Sequence, residues 1–210
     1  MSVFDRYYKK YDSWYDRNRF AYLSELEAVR KVLPRKGTGL EIEVGTGRFA
    51  AALGIKTGID PSKRMIKIAA ERGVGTFLGF GENLPFKDSS FDYVLIVITL
   101  CFTKNPPQVL KEANRVLKDN GKIIIGIVDE DSFLGRLYKS KKSVFYKKAN
   151  FFTIGKIADL LKTAGFGRFI FWQTIFKPPD SMKSVHKASK GFGRGGFVVV
   201  AGKKEKNDGD

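Results

Sequence analysis

Gly39-Leu40-Glu41-Ile42-Glu43-Val44-Gly45-Thr46-Gly47-Arg48-Phe49 is the stretch on which the fold turns. Residues 39–44 predict a short strand, Gly45-Thr46-Gly47 a tight turn, and the residues from Arg48 through Leu53 a short helix. A strand that enters a helix through a glycine turn lets a ligand approach the backbone, while the helix N-terminus offers it free N–H groups. Asp60 closes the next expected strand, 57–60, and an acid there can accept hydrogen bonds from both hydroxyls of a ribose. Together these features imply a nucleoside site. The dinucleotide pattern G-x-G-x-x-G is not met, because position 50, three residues after Gly47, is alanine.

Upstream, residues 4–33 carry Tyr7, Tyr8, Tyr11, Trp14, Tyr15 and Phe20, then Leu23, Leu26, Val29 and Leu33 near helical spacing as far as Pro34. One or two leading helices are expected. Ser62 is placed to cap a helix reaching about Arg72, with Met65, Ile66 and Ala69 inward. Strand 76–78 and loop 79–90 follow. Residues 91–100, nearly continuous in Val, Ile and Leu, read as a strand buried on both faces. Pro106 and Pro107 open a helix carrying Val109, Leu110, Ala113, Val116 and Leu117, and Asn120-Gly121 turns into strand 122–128. Thr153 caps an amphipathic helix ending at Gly165, and strands 168–176 and 197–201 complete the set. Alternating strands and helices predict a doubly wound α/β sheet with ligands at the carboxyl ends of its strands. One domain, 1–202, is expected: a helical lid over 1–36, a cofactor-binding core over 37–128, a substrate lid with C-terminal strands over 129–202, then a flexible tail, 203–210.

The 210 residues are 43% apolar and 29% charged, a globular composition. Cys101 is the single cysteine, which excludes an intramolecular disulfide, a Cys-rich zinc site and a Cys-x-x-Cys redox pair, and no metal site is expected. The expectation is a reducing, cytoplasmic setting. No apolar leader core stands near the N-terminus, and the longest apolar run, 94–102, is too short for a membrane span. The net charge of +16 would attract nucleic acid, anionic lipid or an acidic metabolite, and serves equally to keep the protein in solution.

Beyond these readings, the chain resembles the class I S-adenosylmethionine-dependent methyltransferases of the methyltransferase type 11-like family, whose first motif is commonly acid-x-Gly-x-Gly-x-Gly. Glu41 takes the acidic place. Further matches are Gly58-Ile59-Asp60-Pro61-Ser62 with Met65, Gly81-Glu82-Asn83-Leu84-Pro85-Phe86, Phe91-Asp92-Tyr93-Val94, and Glu112-x-x-Arg115-Val116-Leu117-Lys118-x-x-Gly121. The resemblance implies a Rossmann-like, seven-stranded, mostly parallel sheet with a last antiparallel strand and helices on both faces, and S-adenosyl-L-methionine as cofactor. It further implies that Glu41, Gly45, Thr46 and Gly47 lie beside the methionine part, that Asp60 holds the ribose, and that Pro61 and Met65 flank the adenine. Gly81 and Glu82 would line the adenine edge. Ile98, Thr99 and the residues to Phe102 would face the transferring methyl group, and Tyr11, Tyr15 and Arg19 would belong to a lid. Two positions depart from the pattern: Glu43 stands where the first glycine is usual, and is read as turned toward the cofactor ammonium, and Phe80 stands where relatives carry an aspartate.

Methyl transfer from a sulfonium is an in-line displacement that positioning and desolvation can drive without an obligatory base, so no catalytic residue is assigned. Aromatic faces favour a cationic sulfonium, which makes Tyr15 a cofactor contact. Cys101 reads as a buried small apolar residue rather than a nucleophile, and His186 as a residue of a polar loop. Residues 136–148 interleave bases with aromatics, a pattern open to a substrate lid or a nucleic-acid groove, and residues 190–198 read as a hairpin loop. A small-molecule acceptor is expected; an RNA or protein acceptor, and a non-catalytic binding protein impaired by Glu43, remain open.

Overall fold

A computed structural model describes residues 3–205. Three helices lead: α1 (Val3–Arg6), α2 (Tyr8–Arg17) and α3 (Arg19–Arg30). The alternating body follows as β1 (Gly39–Ile42), α4 (Arg48–Leu53), β2 (Thr57–Asp60), α5 (Lys63–Glu71), β3 (Gly75–Leu78), β4 (Phe91–Val97), α6 (Pro106–Val116) and β5 (Leu117–Val128). The chain then runs through α7 (Phe133–Ser140), α8 (Ile154–Thr163), β6 (Phe166–Thr174), β7 (Ser189–Lys190) and β8 (Phe197–Lys204).

The strands form one sheet in the order β3-β2-β1-β4-β5-β8-β6-β7. Strands β1 to β5 pair in parallel, and β8 runs antiparallel between β5 and β6. The Rossmann-like doubly wound sheet of seven strands is thus present, with an eighth, two-residue strand, β7, added antiparallel on the outer edge of β6. Side chains alternate across it. Tyr93, Leu95, Val97, Ile124, Phe197 and Val199 face a core closed by α3, α4, α5 and α7, whereas Val94, Ile96, Ile123, Ile125, Val198 and Val200 face one closed by α6 and α8. Burial on both faces accounts for the near-continuous apolar runs, each such aliphatic contributing about 1.5–3 kcal/mol.

Element ends differ from the sequence expectations where backbone geometry intervenes. Strand β1 stops at Ile42 because Glu43 adopts φ 56°, and β4 stops at Val97 because Ile98 adopts φ 54°. Asn120, at φ 60°, makes the expected turn, but β5 already begins at Leu117. Strand β6 starts and ends two residues earlier than expected, and residues 191–196 link β7 to β8 rather than joining adjacent partners. Strand β8 continues through Lys204 into the stretch expected to fray, and residues 206–210 lie outside the described residues. Ser62, Asn105 and Thr153 cap their helices by accepting from Met65, Gln108 and Lys156 N–H groups. Among the described residues, no helix is long and apolar enough to cross a membrane.

Candidate active site

The carboxyl ends of β1, β2 and β4 meet in a cavity of about 210 Å³ lined by Glu43, Gly45, Asp60, Met65, Ile98 and Thr99. Its position follows from the first βα turn: Gly45 (φ 55°) and Gly47 (φ 77°) take the left-handed conformation that lets the chain reverse into α4. A side chain at Gly47 would strike Ala69 at 2.9 Å, so the same residue also seats α4 against α5. Asp60, at the end of β2, fixes the turn from the far side. Its Oδ2 accepts from Gly45 N–H at 2.9 Å and its Oδ1 from Ser62 N–H at 2.8 Å.

Two buried carboxyls, Glu41 and Asp60, and the half-buried Glu43 surround this turn. Glu41 lies beneath it, pushed well above the usual carboxylate range by burial against the opposing Ala50 N–H bond, and its Oε2 has no hydrogen-bond partner. Burial and the neighbouring Asp60 raise Glu43 to about 8, although its Oε1 accepts from Gly81 N–H at 3.1 Å. Burial raises Asp60 to about 6 against its two backbone donors. Acids gathered this densely fit a ligand that brings positive charge and hydroxyl donors. S-adenosylmethionine has both, in its sulfonium, its ammonium and its ribose, and Asp60 lines the cavity with acceptor capacity to spare.

The sequence-nominated residues divide three ways. Glu43, Gly45, Asp60, Pro61, Met65, Glu82, Ile98 and Thr99 line the cavity. Glu41, Thr46, Gly47 and Gly81 stand behind its wall. Thr46 turns away, its Oγ1 donating to Asp12 Oδ1 at 2.6 Å, and Gly81 packs over Ile42 and Val109. Glu43 points to Gly81, not into open space as a ligand-directed side chain would. Tyr15 lies in a neighbouring chamber, its hydroxyl 2.8 Å from that of Tyr11.

That second chamber, about 420 Å³, shares Phe4, Tyr11, Ile98 and Phe102 with the first. Helices α2, α3 and α7 and residues 141–146 wall it, with Trp14, Tyr15, Tyr138 and Tyr146 turned inward. Tyr138 and Tyr146 stack with centroids 4.4 Å apart. The aromatics of the basic segment, Tyr138, Phe145 and Tyr146, therefore line this wall. Burial pushes the Cys101 thiol up to about 12, which disfavours the thiolate a nucleophile needs. His186 Nδ1 accepts from the Phe176 backbone N–H at 3.1 Å and the His186 backbone N–H donates to Ser24 Oγ at 2.9 Å, tying a loop to α3.

Three residues absent from the sequence reading complete the arrangement. Asp12 on α2 accepts from Thr46, from Arg48 Nη2 at 2.7 Å and from Arg72 Nη2 at 2.9 Å, clamping α2 over the glycine turn. Phe4 contributes to the partition between the chambers. Glu25 lies at 1% exposure in the wall of the second chamber, where an acid on the same helical face as Ala21, Ala28 and Val29 was the available signal.

A methyltransferase domain family matches residues 40–125. A solved S-adenosylmethionine-dependent methyltransferase of Thermotoga maritima, for which histamine N-methylation has been suggested, is 50% identical, with a TM-score of 0.94, covering 97% of this chain and 99% of that one. The chain belongs to the class I S-adenosylmethionine-dependent methyltransferases. An uncharacterized protein of Methanocaldococcus jannaschii is 50% identical to this methyltransferase over 206 residues, covering 97% of this chain and all of the other. The demethylmenaquinone methyltransferase of Thermotoga maritima is 29% identical, covering 79% of this chain and 87% of its own. Like its family, the methyltransferase uses S-adenosylmethionine, whose demands the acid-rich glycine turn meets.

Proposed function

We propose that this methyltransferase moves a methyl group from S-adenosylmethionine to a small-molecule acceptor held in the second chamber. The observation that carries the reading is the meeting of an acid-rich chamber and an aromatic chamber at Phe4, Tyr11, Ile98 and Phe102. On this reading Asp60 holds the ribose hydroxyls, Pro61 and Met65 flank the adenine, Gly81 and Glu82 border its edge, and Glu41 with Gly45, Thr46 and Gly47 supports the methionine part. When bound, the cofactor supplies an electrophilic methyl on a cationic sulfur. Ile98 and Thr99 line up the acceptor with that methyl, while Tyr11 and Tyr15 present ring faces and hydroxyls and keep water out. Helix α2 acts as the lid, and residues 133–148 form the outer wall. The names of two relatives, a demethylmenaquinone methyltransferase and a suggested histamine N-methyltransferase, are both of small-acceptor reactions.

The test is transfer of labelled methyl from S-adenosylmethionine to three pools: a small-molecule extract, total RNA and denatured protein. Label entering the small-molecule pool alone supports the reading. Label entering RNA, with binding that weakens steeply as salt rises, transfers the acceptor role to nucleic acid.

A further inference from the structure

The second chamber contains a buried acid that the reaction scheme above leaves without a task. Glu25 is 1% exposed, its Oε2 has no hydrogen-bond partner, and no ion pair reaches it among the described residues. An unpaired carboxyl in such a place costs stability, since a fold ordinarily satisfies its buried polar groups. Apolar substitution would remove that cost, so the acid calls for a partner that arrives from outside.

Its surroundings identify the partner. Tyr11, Trp14, Tyr15, Tyr138 and Tyr146 line the same chamber, and ring faces attract cations. A carboxyl enclosed by aromatic rings is complementary to a protonated amine, which donates charge-assisted hydrogen bonds to the carboxylate and is attracted electrostatically by the ring faces. The other charged groups of the chamber, Lys10, Arg17, Lys141, Lys142 and Asp180, are exposed and stand at its rim, so they leave the floor to Glu25. We propose that Glu25 is the acceptor-binding residue of this methyltransferase and that it selects a small molecule bearing a basic nitrogen. The assignment rests on reading the second chamber as the acceptor chamber. It names a residue and a charge requirement that family membership leaves undetermined. Burial raises Glu25 to about 8, and an ammonium beside it would keep it ionised.

The experiment is calorimetry on the protein saturated with S-adenosylhomocysteine, titrated with benzylamine, phenethylamine and tyramine, and with benzyl alcohol, phenethyl alcohol and N-acetyltyramine as neutral partners. The best amine should bind about 10-fold or more tightly than its neutral partner, and Glu25→Gln should abolish that preference while leaving S-adenosylhomocysteine affinity unchanged. Urea unfolding supplies a readout that a merely structural Glu25 would not give: above pH 8, Glu25→Gln should be more stable than the parent, because an unpaired buried carboxylate is gone, and the amine should stabilise the parent alone. Equal binding of amine and neutral partner, or destabilisation by Gln at every pH, overturns the Glu25 assignment and leaves the small-acceptor reading standing. Failure of all six compounds to bind overturns both.

Discussion

Glu43 Oε1 accepts from the Gly81 N–H at 3.1 Å, so a side chain of the first glycine-turn motif ties the wall of the cofactor cavity to the loop after β3. The residue pays for this position with a left-handed backbone, φ 56°, which glycine adopts freely and glutamate does not. The Glu43→Gly variant should therefore gain about 1 kcal/mol of stability, seen as a higher urea midpoint. It should also bind S-adenosylhomocysteine several-fold more tightly, because the Gly81 N–H is released to the ligand. Weaker binding by the glycine variant would instead make the Glu43 carboxyl a direct cofactor contact.

Asp12 joins α2 to the glycine turn through one carboxylate. Burial alone would raise that carboxyl, but hydrogen bonds from Arg48, Arg72 and Thr46 outweigh it and hold it well below the usual carboxylate range. Its contribution is complete above pH 4 and is lost as acid protonates it. In Asp12→Ala, Arg48 and Arg72 lose their shared partner, at a cost of ~2 kcal/mol. Limited proteolysis should then cut within α1 or α2 faster than in the parent, and cofactor affinity should fall. An unchanged cleavage rate would show that aromatic packing of Tyr11 and Tyr15 suffices to seat the helix.

Much of this arrangement could be read from the chain, and its limits have physical causes. The near-continuous apolar run of β4 and the caps at Ser62 and Thr153 are local signals, written within a few residues. The acids Glu41 and Asp60 announce a nucleoside site because they bracket a glycine turn. The Asp12 clamp could not be found this way, since it joins α2 to Arg48 and Arg72, which only the closed fold brings together. Ile98 shows a different limit: a β-branched residue at φ 54° runs against local preference and is held there by its N–H bond to Gly126 O at 2.8 Å. Glu25 was legible in principle, as an acid on an apolar helical stripe, but its meaning depends on the chamber that α2 and α7 close around it.

The motif Glu112-x-x-Arg115 acts on the cofactor cavity from behind. Glu112 Oε2 accepts from Leu84 N–H at 2.7 Å, and Arg115 donates to Leu84 O at 3.0 Å, to Phe86 O at 2.8 Å and back to Glu112. Residues 82–86 are thus held by a planar donor fork. Lysine keeps the charge but cannot make these bonds together. Arg115→Lys should lower the urea midpoint by the equivalent of about 1–2 kcal/mol and weaken S-adenosylhomocysteine binding, while Asp88→Ala, which touches only the exposed side of Arg115, should do neither. Equal effects from the two variants would remove the loop-holding role.

Stability should fall as pH rises from about 5 to 8, the reverse of what an ion-paired surface would give. Glu25 and Glu43 are raised to about 8 and Asp60 to about 6, in each case chiefly by burial, and Glu41 is raised further. Each holds a proton in the folded chain that its unfolded counterpart, with an ordinary value of 4.5 or 3.8, has already released. The unfolded chain then binds fewer protons, so each added unit of pH favours it until the folded carboxyl ionises as well. Urea midpoints at pH 5.5, 7.0 and 8.5 should decline, more gently in Glu25→Gln and Glu43→Gln than in the parent. Saturating S-adenosylmethionine should flatten the decline further, because its positive charges stabilise Glu41, Glu43 and Asp60 in their ionised forms and leave Glu25 as the main acid still uncompensated. A midpoint that rises through this range would mean that these carboxyls ionise in the fold at little cost, and that the acid-rich turn has no electrostatic demand for a cationic cofactor.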